Sequence, residues 1–246
     1  MPDYLSASDY VRKARQSPLR RAILATVENT HKMEFNGTPR LTFAAKPGAY
    51  QGTIDKAREP ILEELKKFPA AMIHLGPQGM EQQYEQEESP RWRAWYDLTR
   101  GRMLALYVRN REYNAACEEM KGRHPDFLNN KFNRWWFKPS EEIRSGDLVE
   151  KAAAEAVRLL ERCRERNPGT PWAILAEREL RHGFGFEVET AYVPPPKPRP
   201  PKVVRKDKGS GAGGDGNGKS KTKTRVRPKP VEPPPPPPKP IVLPKL

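Results

Sequence analysis

Glu28…His31 and Glu179…His182 are the residue pairs that come nearest to a reaction centre in this chain. A glutamate three positions before a histidine on a helix puts both side chains on one face. Pairs of this kind, joined by further glutamates, hold two metal ions in some four-helix bundles. Both histidines fall near expected helix ends, where an imidazolium suits the negative end of the helix dipole. His182 also lies beside Gly183, away from any bundle centre, and a chain this rich in glutamate produces such pairs by chance. His74 and His124 have no partner at ligand spacing and read as loop histidines. Cys117 and Cys163 are far apart in helical patterns, and no Cys-x-x-Cys suggests zinc or redox chemistry. The residues therefore predict no metal, no cofactor and no catalytic group.

Two other patterns invite a functional reading. Gly209-Ser-Gly211-Ala-Gly213-Gly214 formally satisfies a dinucleotide fingerprint. That fingerprint requires a buried strand before it and a helix after it, whereas this one sits in a charged, glycine-rich stretch and reads as a linker. Lys131-Phe132-Asn133-Arg134-Trp135-Trp136-Phe137-Lys138 interleaves rings with cations. Single-stranded nucleic acids are bound by surfaces of this composition. The alternative is that Trp135, Trp136 and Phe137 plug a gap between helices while the cations snorkel outward. The near-neutral body favours packing. No nucleophile elbow, phosphate-binding loop or zinc-type His-Glu-x-x-His occurs.

The elements that would carry such residues are helical. Ser17-Pro18, Ser89-Pro90 and Thr170-Pro171 each place a hydroxyl at an N-cap and proline at the first helical position. Trp92, Trp95, Tyr96, Thr99, Met103, Leu106 and Tyr107 then recur every three or four residues. Asn110-Arg111 predicts a break, so that 90–121 would form a helical hairpin. Leu148, Ala152, Ala156, Leu159, Leu160 and Cys163 predict a helix over 147–166. Asn167-Pro168-Gly169 ends it, and the next helix closes a second hairpin over 147–182, with Gly183 as its stop. A helix is also predicted over 54–68, kinked or started by Pro60, with a short extended piece at 41–43. Residues 76–88 read as a surface loop. The alternation of Phe184, Phe186, Val188, Thr190 and Tyr192 would suit an edge strand but has no evident partner strand, and reads rather as an extended strap over the helices.

Charge divides the chain at Val193. Residues 194–246 hold 16 of the 28 prolines and 14 basic against three acidic residues, leaving only +3 of the net +14 for residues 1–193. The tail predicts disorder, with polyproline segments at either end. Lys202, Arg205, Lys206, Lys208, Lys219, Lys221, Lys223, Arg225, Arg227 and Lys229 form two basic clusters suited to nucleic acid or another polyanion. No secretory signal or stretch of transmembrane length is visible, which predicts a cytoplasmic location, or the cell envelope if the chain is a fragment.

The stretch Ala152…Ala156…Leu159-Leu160…Asn167-Pro168-Gly169-Thr170-Pro171-Trp172-Ala173…Ala176…Glu179-Leu180 resembles a tetratricopeptide-type hairpin, and Met103…Tyr107…Tyr113…Ala116…Met120 approximates the same repeat. A similar Pro-Gly-Thr-Pro connection occurs in bacterial outer-membrane assembly lipoproteins. Trp92-x2-Trp95-Tyr96-Asp97-Leu98…Glu112-Tyr113-Asn114 is similar to helical regions that follow a von Willebrand factor A-type domain in large bacterial proteins. The Asp-x-Ser-x-Ser metal motif of that domain is absent, so the resemblance implies an accessory helical part and no metal role. The expected architecture is all-α: a domain of helical hairpins with tetratricopeptide-like packing over 1–193, and a disordered tail over 194–246. The expected function is that of a scaffold for a protein partner, with Trp92, Trp95, Trp135 and Trp136 as the side chains to seek in a groove.

Overall fold

The computed structural model describes residues 6–35, 37–44, 50–76, 79–122 and 132–194, which form seven helices and one three-stranded sheet. In chain order these are α1 (Ala7–Ala14), α2 (Pro18–Met33), β1 (Thr42–Ala44), α3 (Tyr50–Met72), α4 (Met80–Gln86), α5 (Pro90–Gly122), β2 (Arg134–Ser140), α6 (Asp147–Arg166), α7 (Pro171–Leu180) and β3 (Gly185–Ala191). The chain is thus mostly helical but not all-α. No helix among the described residues is long and apolar enough to cross a membrane. The tail reading lies outside the described residues.

Two of the three capping devices read from the sequence operate as expected, while at Ser89 it is the backbone carbonyl that accepts, from the Trp92 and Arg93 N–H groups. Ser17 Oγ accepts from the Arg20 N–H at 3.4 Å, and Thr170 Oγ1 accepts from the Ala173 N–H at 3.3 Å. α1 begins on the same device, with Ser6 Oγ accepting from the Asp9 N–H. Pro60 and Pro69 lie inside α3, which runs through both. Each proline is exposed, so its ring faces water rather than the core.

α5 is the axis of the fold. Its 33 residues span about 50 Å, and α2, α3, α6, α7 and β3 all pack on it. The hairpin expected over 90–121 is instead this one helix. Asn110, read as a break, is buried, and its Nδ2 donates to Glu64 Oε2 on α3 at 3.0 Å. Glu112 is buried too, accepting from the N–H groups of Arg144 and Ser145 at 3.0 and 2.8 Å. Asn110, which suggested a helix end, and Glu112 two residues on are tie points to distant segments. Gly101 lets α6 approach closely: a Cβ there would stand 2.8 Å from Leu160 Cγ.

On the N-terminal half of α5, Ala94, Leu98, Ala105 and Val108 pack with Val149, Ala153, Ala156, Leu160 and Cys163 of α6 and with Ala176 of α7. The 147–182 hairpin is therefore present as α6 and α7, joined through Gly169 at φ +74°. Leu148, expected in its core, is 80% exposed, and Val149 is buried in its place. Gly183 is not a left-handed stop, for α7 already ends at Leu180. Its hydrogen is required by a crossing, since a Cβ would stand 2.2 Å from the Ser140 carbonyl oxygen.

The sheet has the order β1-β2-β3, antiparallel throughout. β2 is the partner that the alternating 184–192 segment lacked in the sequence: Arg134 pairs with Ala191, and the register continues to Ser140 and Gly185. The strap is thus an edge strand. Phe43, Phe137 and Phe186 turn inward onto Tyr113 of α5, with Phe137 and Phe186 at 5.6 and 5.7 Å from the Tyr113 ring. Pro139 is tolerated in the middle strand because β1 extends only as far as Trp136, leaving that edge open. Residues 76–88, read as a loop, contain α4. Its Tyr84 is 1% exposed and packs with Tyr96 in a cluster with Leu19, Ile23 and Trp92.

Candidate docking groove

α5 continues its apolar stripe beyond what its neighbours cover. Trp95, Thr99, Arg102, Leu106 and Arg109 recur every three or four residues and, with Leu98 and Met103 beside them, form the floor of a groove of about 570 Å³. One wall is α2 and the chain just after it, through Val27, Thr30 and Phe35. The other is α7, through Trp172, Leu175 and Glu179. Val27 and Leu175 are exposed, while Trp95 and Leu106 are half-buried.

The far end of the groove carries a charge clamp. Arg102 and Arg109 stand two turns apart on α5, so both reach the same point on α7. Arg102 Nε donates to Glu179 Oε1 at 2.9 Å and Arg109 Nη1 to Oε2 at 2.8 Å. Arg109 Nη2 also donates to the Glu179 carbonyl, and its guanidinium lies 5.0 Å from the Phe184 ring centroid. Burial pushes the Glu179 carboxyl up, but the two arginines outweigh it and hold the group below the usual carboxylate range. Arg102 remains 51% exposed and can take a second carboxylate.

The four tryptophans singled out from the sequence do not meet in one site. Trp95 lines the groove and stacks on Trp92 with ring centroids 5.0 Å apart. Trp92 itself is 3% exposed and belongs to the core, and so does Trp135 beneath the sheet. Trp136 is 47% exposed on the outer face of the sheet, under Lys138, which pairs with Glu189. Alternation along β2 thus sends Trp135 and Phe137 inward and leaves Trp136 as the one exposed ring of β2. Sequence reasoning missed Trp172, Leu175 and the arginine clamp as groove residues. The one available signal was the spacing of Arg102 and Arg109, seven apart on the same face as Trp95.

Several other ionisable groups are engaged in structure. Arg162 of α6 donates to Asp97 at 3.0 Å and to Glu81 at 2.9 Å, and its guanidinium lies 3.8 Å from the Tyr84 ring centroid. Asp97 is fully buried. Burial raises its carboxyl in spite of Arg162 and the Tyr84 hydroxyl, and burial also raises Tyr84 to about 12. Glu87 accepts from Arg20 and from the Ser89 N–H. These bonds outweigh its burial and leave it below the ordinary range. Burial pushes both thiols, Cys117 and Cys163, up to about 12.

Neither Glu-x-x-His pair gathers further ligands. Glu28 pairs with Lys32 at 2.7 Å and Glu179 with its arginines. No group of three or more His, Cys, Asp or Glu among the described residues is placed to hold a metal ion. His124, the glycine motif and the basic positions from Lys202 to Lys229 lie outside the described residues. Compared with protein-family models, curated proteins and solved structures, the chain matches none.

Proposed function

We propose that this chain is a non-catalytic helical adaptor that receives an amphipathic helix of a protein partner in the groove between α2, α5 and α7. The carrying observation is the stripe from Trp95 to Arg109, open between two walls that are already in place. Those fifteen positions extend about 21 Å along α5, the length of a four-turn helix laid into the groove. Trp95, Leu106 and Leu175 supply apolar contact, and Arg102 pairs with a carboxylate on the incoming helix. The alanine-lined packing of α6 and α7 is read as a tetratricopeptide-like hairpin that fixes one wall.

The test is capture from the native host on the immobilised full chain, comparing wild type with Trp95→Ala, Leu175→Glu and Leu148→Glu. Leu148 is exposed outside the groove and serves as the surface control. A protein retained by wild type and by Leu148→Glu, but lost by both groove variants, supports the reading. An unchanged set of retained proteins on all four overturns it.

A second reading, polyanion association through residues 194–246, is favoured by the concentration of charge there, 14 basic residues against three acidic. Six neutralised phosphates on duplex DNA give a log–log salt slope of about −5. Replacing Lys219, Lys221, Lys223, Arg225, Arg227 and Lys229 by glutamine in the full chain should flatten that slope. A slope unchanged by the replacement rejects this reading.

A further inference from the structure

A second groove, of about 720 Å³, runs along α6 and is closed by the chain leaving β2 and the chain entering β3. Its floor is apolar, made by Ile143, Ala153, Val157 and Leu180. Its rim is acidic: Glu141 and Glu142 on one side, Glu150 and Glu161 on α6. Arg164 and His182 are the other ionisable side chains in the lining, and Arg164 already faces Glu165 at 3.7 Å. Glu142 pairs with Arg144 at 2.6 Å. Glu141, Glu150 and Glu161 are exposed and form no ion pair or side-chain hydrogen bond among the described residues.

Spacing narrows the chemistry of an occupant. Glu150 and Glu161 are separated by three turns on one face of α6, with Val157 between them, so their carboxylates stand about 16 Å apart along the axis. An extended peptide rises about 3.3 Å per residue, so cations that meet both carboxylates are about five positions apart. A helical occupant lying along α6 would need its cations about eleven positions apart, and would fill a trough whose floor is built of small and medium side chains.

We propose that the groove along α6 is a docking site for an extended peptide carrying two basic residues about five positions apart with an apolar side chain between them. The apolar side chain rests on Val157 and Leu180 while the cations reach Glu150 and Glu161. Glu141 and Glu142 on the opposite rim add to the potential that draws the peptide in. This site shares no lining residue with the groove proposed above, and the two stand or fall separately.

The probe is a dye-labelled hexapeptide with arginine at both ends, leucine in the third place and alanine elsewhere. It is titrated by fluorescence anisotropy against the full chain at low and high salt. Controls are a hexapeptide of the same composition with its arginines adjacent, and one with glutamate at both ends. The end-spaced peptide should bind about fivefold more tightly than the adjacent one, the advantage of a second exposed ion pair supported by an apolar contact. Its binding should weaken with salt. Glu150→Gln/Glu161→Gln should reduce it about fivefold with only a small fall in Tm, because both side chains are exposed and the one structural loss is the favourable charge of Glu150 in the first turn of α6. Leu175→Glu, in the other groove, should leave it unchanged. Equal binding by the glutamate peptide, indifference to arginine spacing, or full binding by the double variant overturns the proposal.

Discussion

In the groove floored by α5, one glutamate is held between two arginines; in the groove along α6, three glutamates meet no cation within the described residues. α7 contributes to both, through Leu175 and Glu179 on one side and Leu180 on the other. The difference lies in what each charge does for the fold. Glu179 joins α7 to α5 and is largely spent, so selectivity in that groove falls to Trp95, Trp172 and Leu175, with Arg102 as its spare cation. Glu150 and Glu161 join nothing. Exposed carboxylates without partners add little to stability and cost little to change, so their effect is on the potential presented to a visitor.

The largest expected effect removes both grooves together. Asp97→Ala leaves Arg162 half-buried and short of its main partner, and should cost about 3–5 kcal/mol in urea unfolding, with binding lost at both sites. A loss under about 1 kcal/mol would mean that α4, α5 and α6 are held together by their apolar faces alone. Gly101→Val should come next, at about 1–3 kcal/mol, because the new side chain must displace Leu160 where α5 and α6 touch. Its separation of α6 from α5 should distort the α6 groove more than the α2 wall. Peptide titration should therefore fall further than helix capture.

How far these sites were readable follows from how local their causes are. Ser17-Pro18 and Thr170-Pro171 act on amides three residues away, so α2 and α7 could be placed from the sequence. Val149 for Leu148 is one step around a helix, an error that periodicity allows when alanines occupy several faces. β3 could not be paired because its partner lies some fifty residues earlier, across α6 and α7, in a run whose rings suggested a plug. Asn110-Arg111 looked like a helix end because the partner of Asn110, Glu64, is remote in sequence; the Arg144–Ser145 backbone that Glu112 holds is equally remote. Trp95 could be picked out on its own stripe. The clamp that finishes its groove could not, since Glu179 lies 70 residues from Arg109.

Smaller effects separate the grooves from each other. Leu175→Glu puts a charge on the apolar wall of the α5 groove. It should abolish helix capture while changing stability by no more than about 0.5 kcal/mol, since Leu175 is 37% exposed. Hexapeptide binding along α6 should not change. A parallel loss of both activities would mean that the substitution disturbs the packing of α7 on α6 rather than one wall alone.

The smallest effect is on pH dependence, and it tests whether the Glu179 clamp holds α7 in place. Its folded-state pKa lies below the unfolded value, so its contribution is fully present above the ordinary carboxylate range and is lost as pH falls through the folded value. Glu87 behaves with the same sign, and Asp97, raised by burial, with the opposite one. Glu179→Gln leaves both of those groups intact, so the difference between variant and wild type isolates the clamp. The Tm of the variant should be lower than wild type near neutrality, and the gap should close as the solution is acidified below about pH 4. A gap that stays constant with pH would assign the loss to the Glu179 side chain's packing rather than its charge.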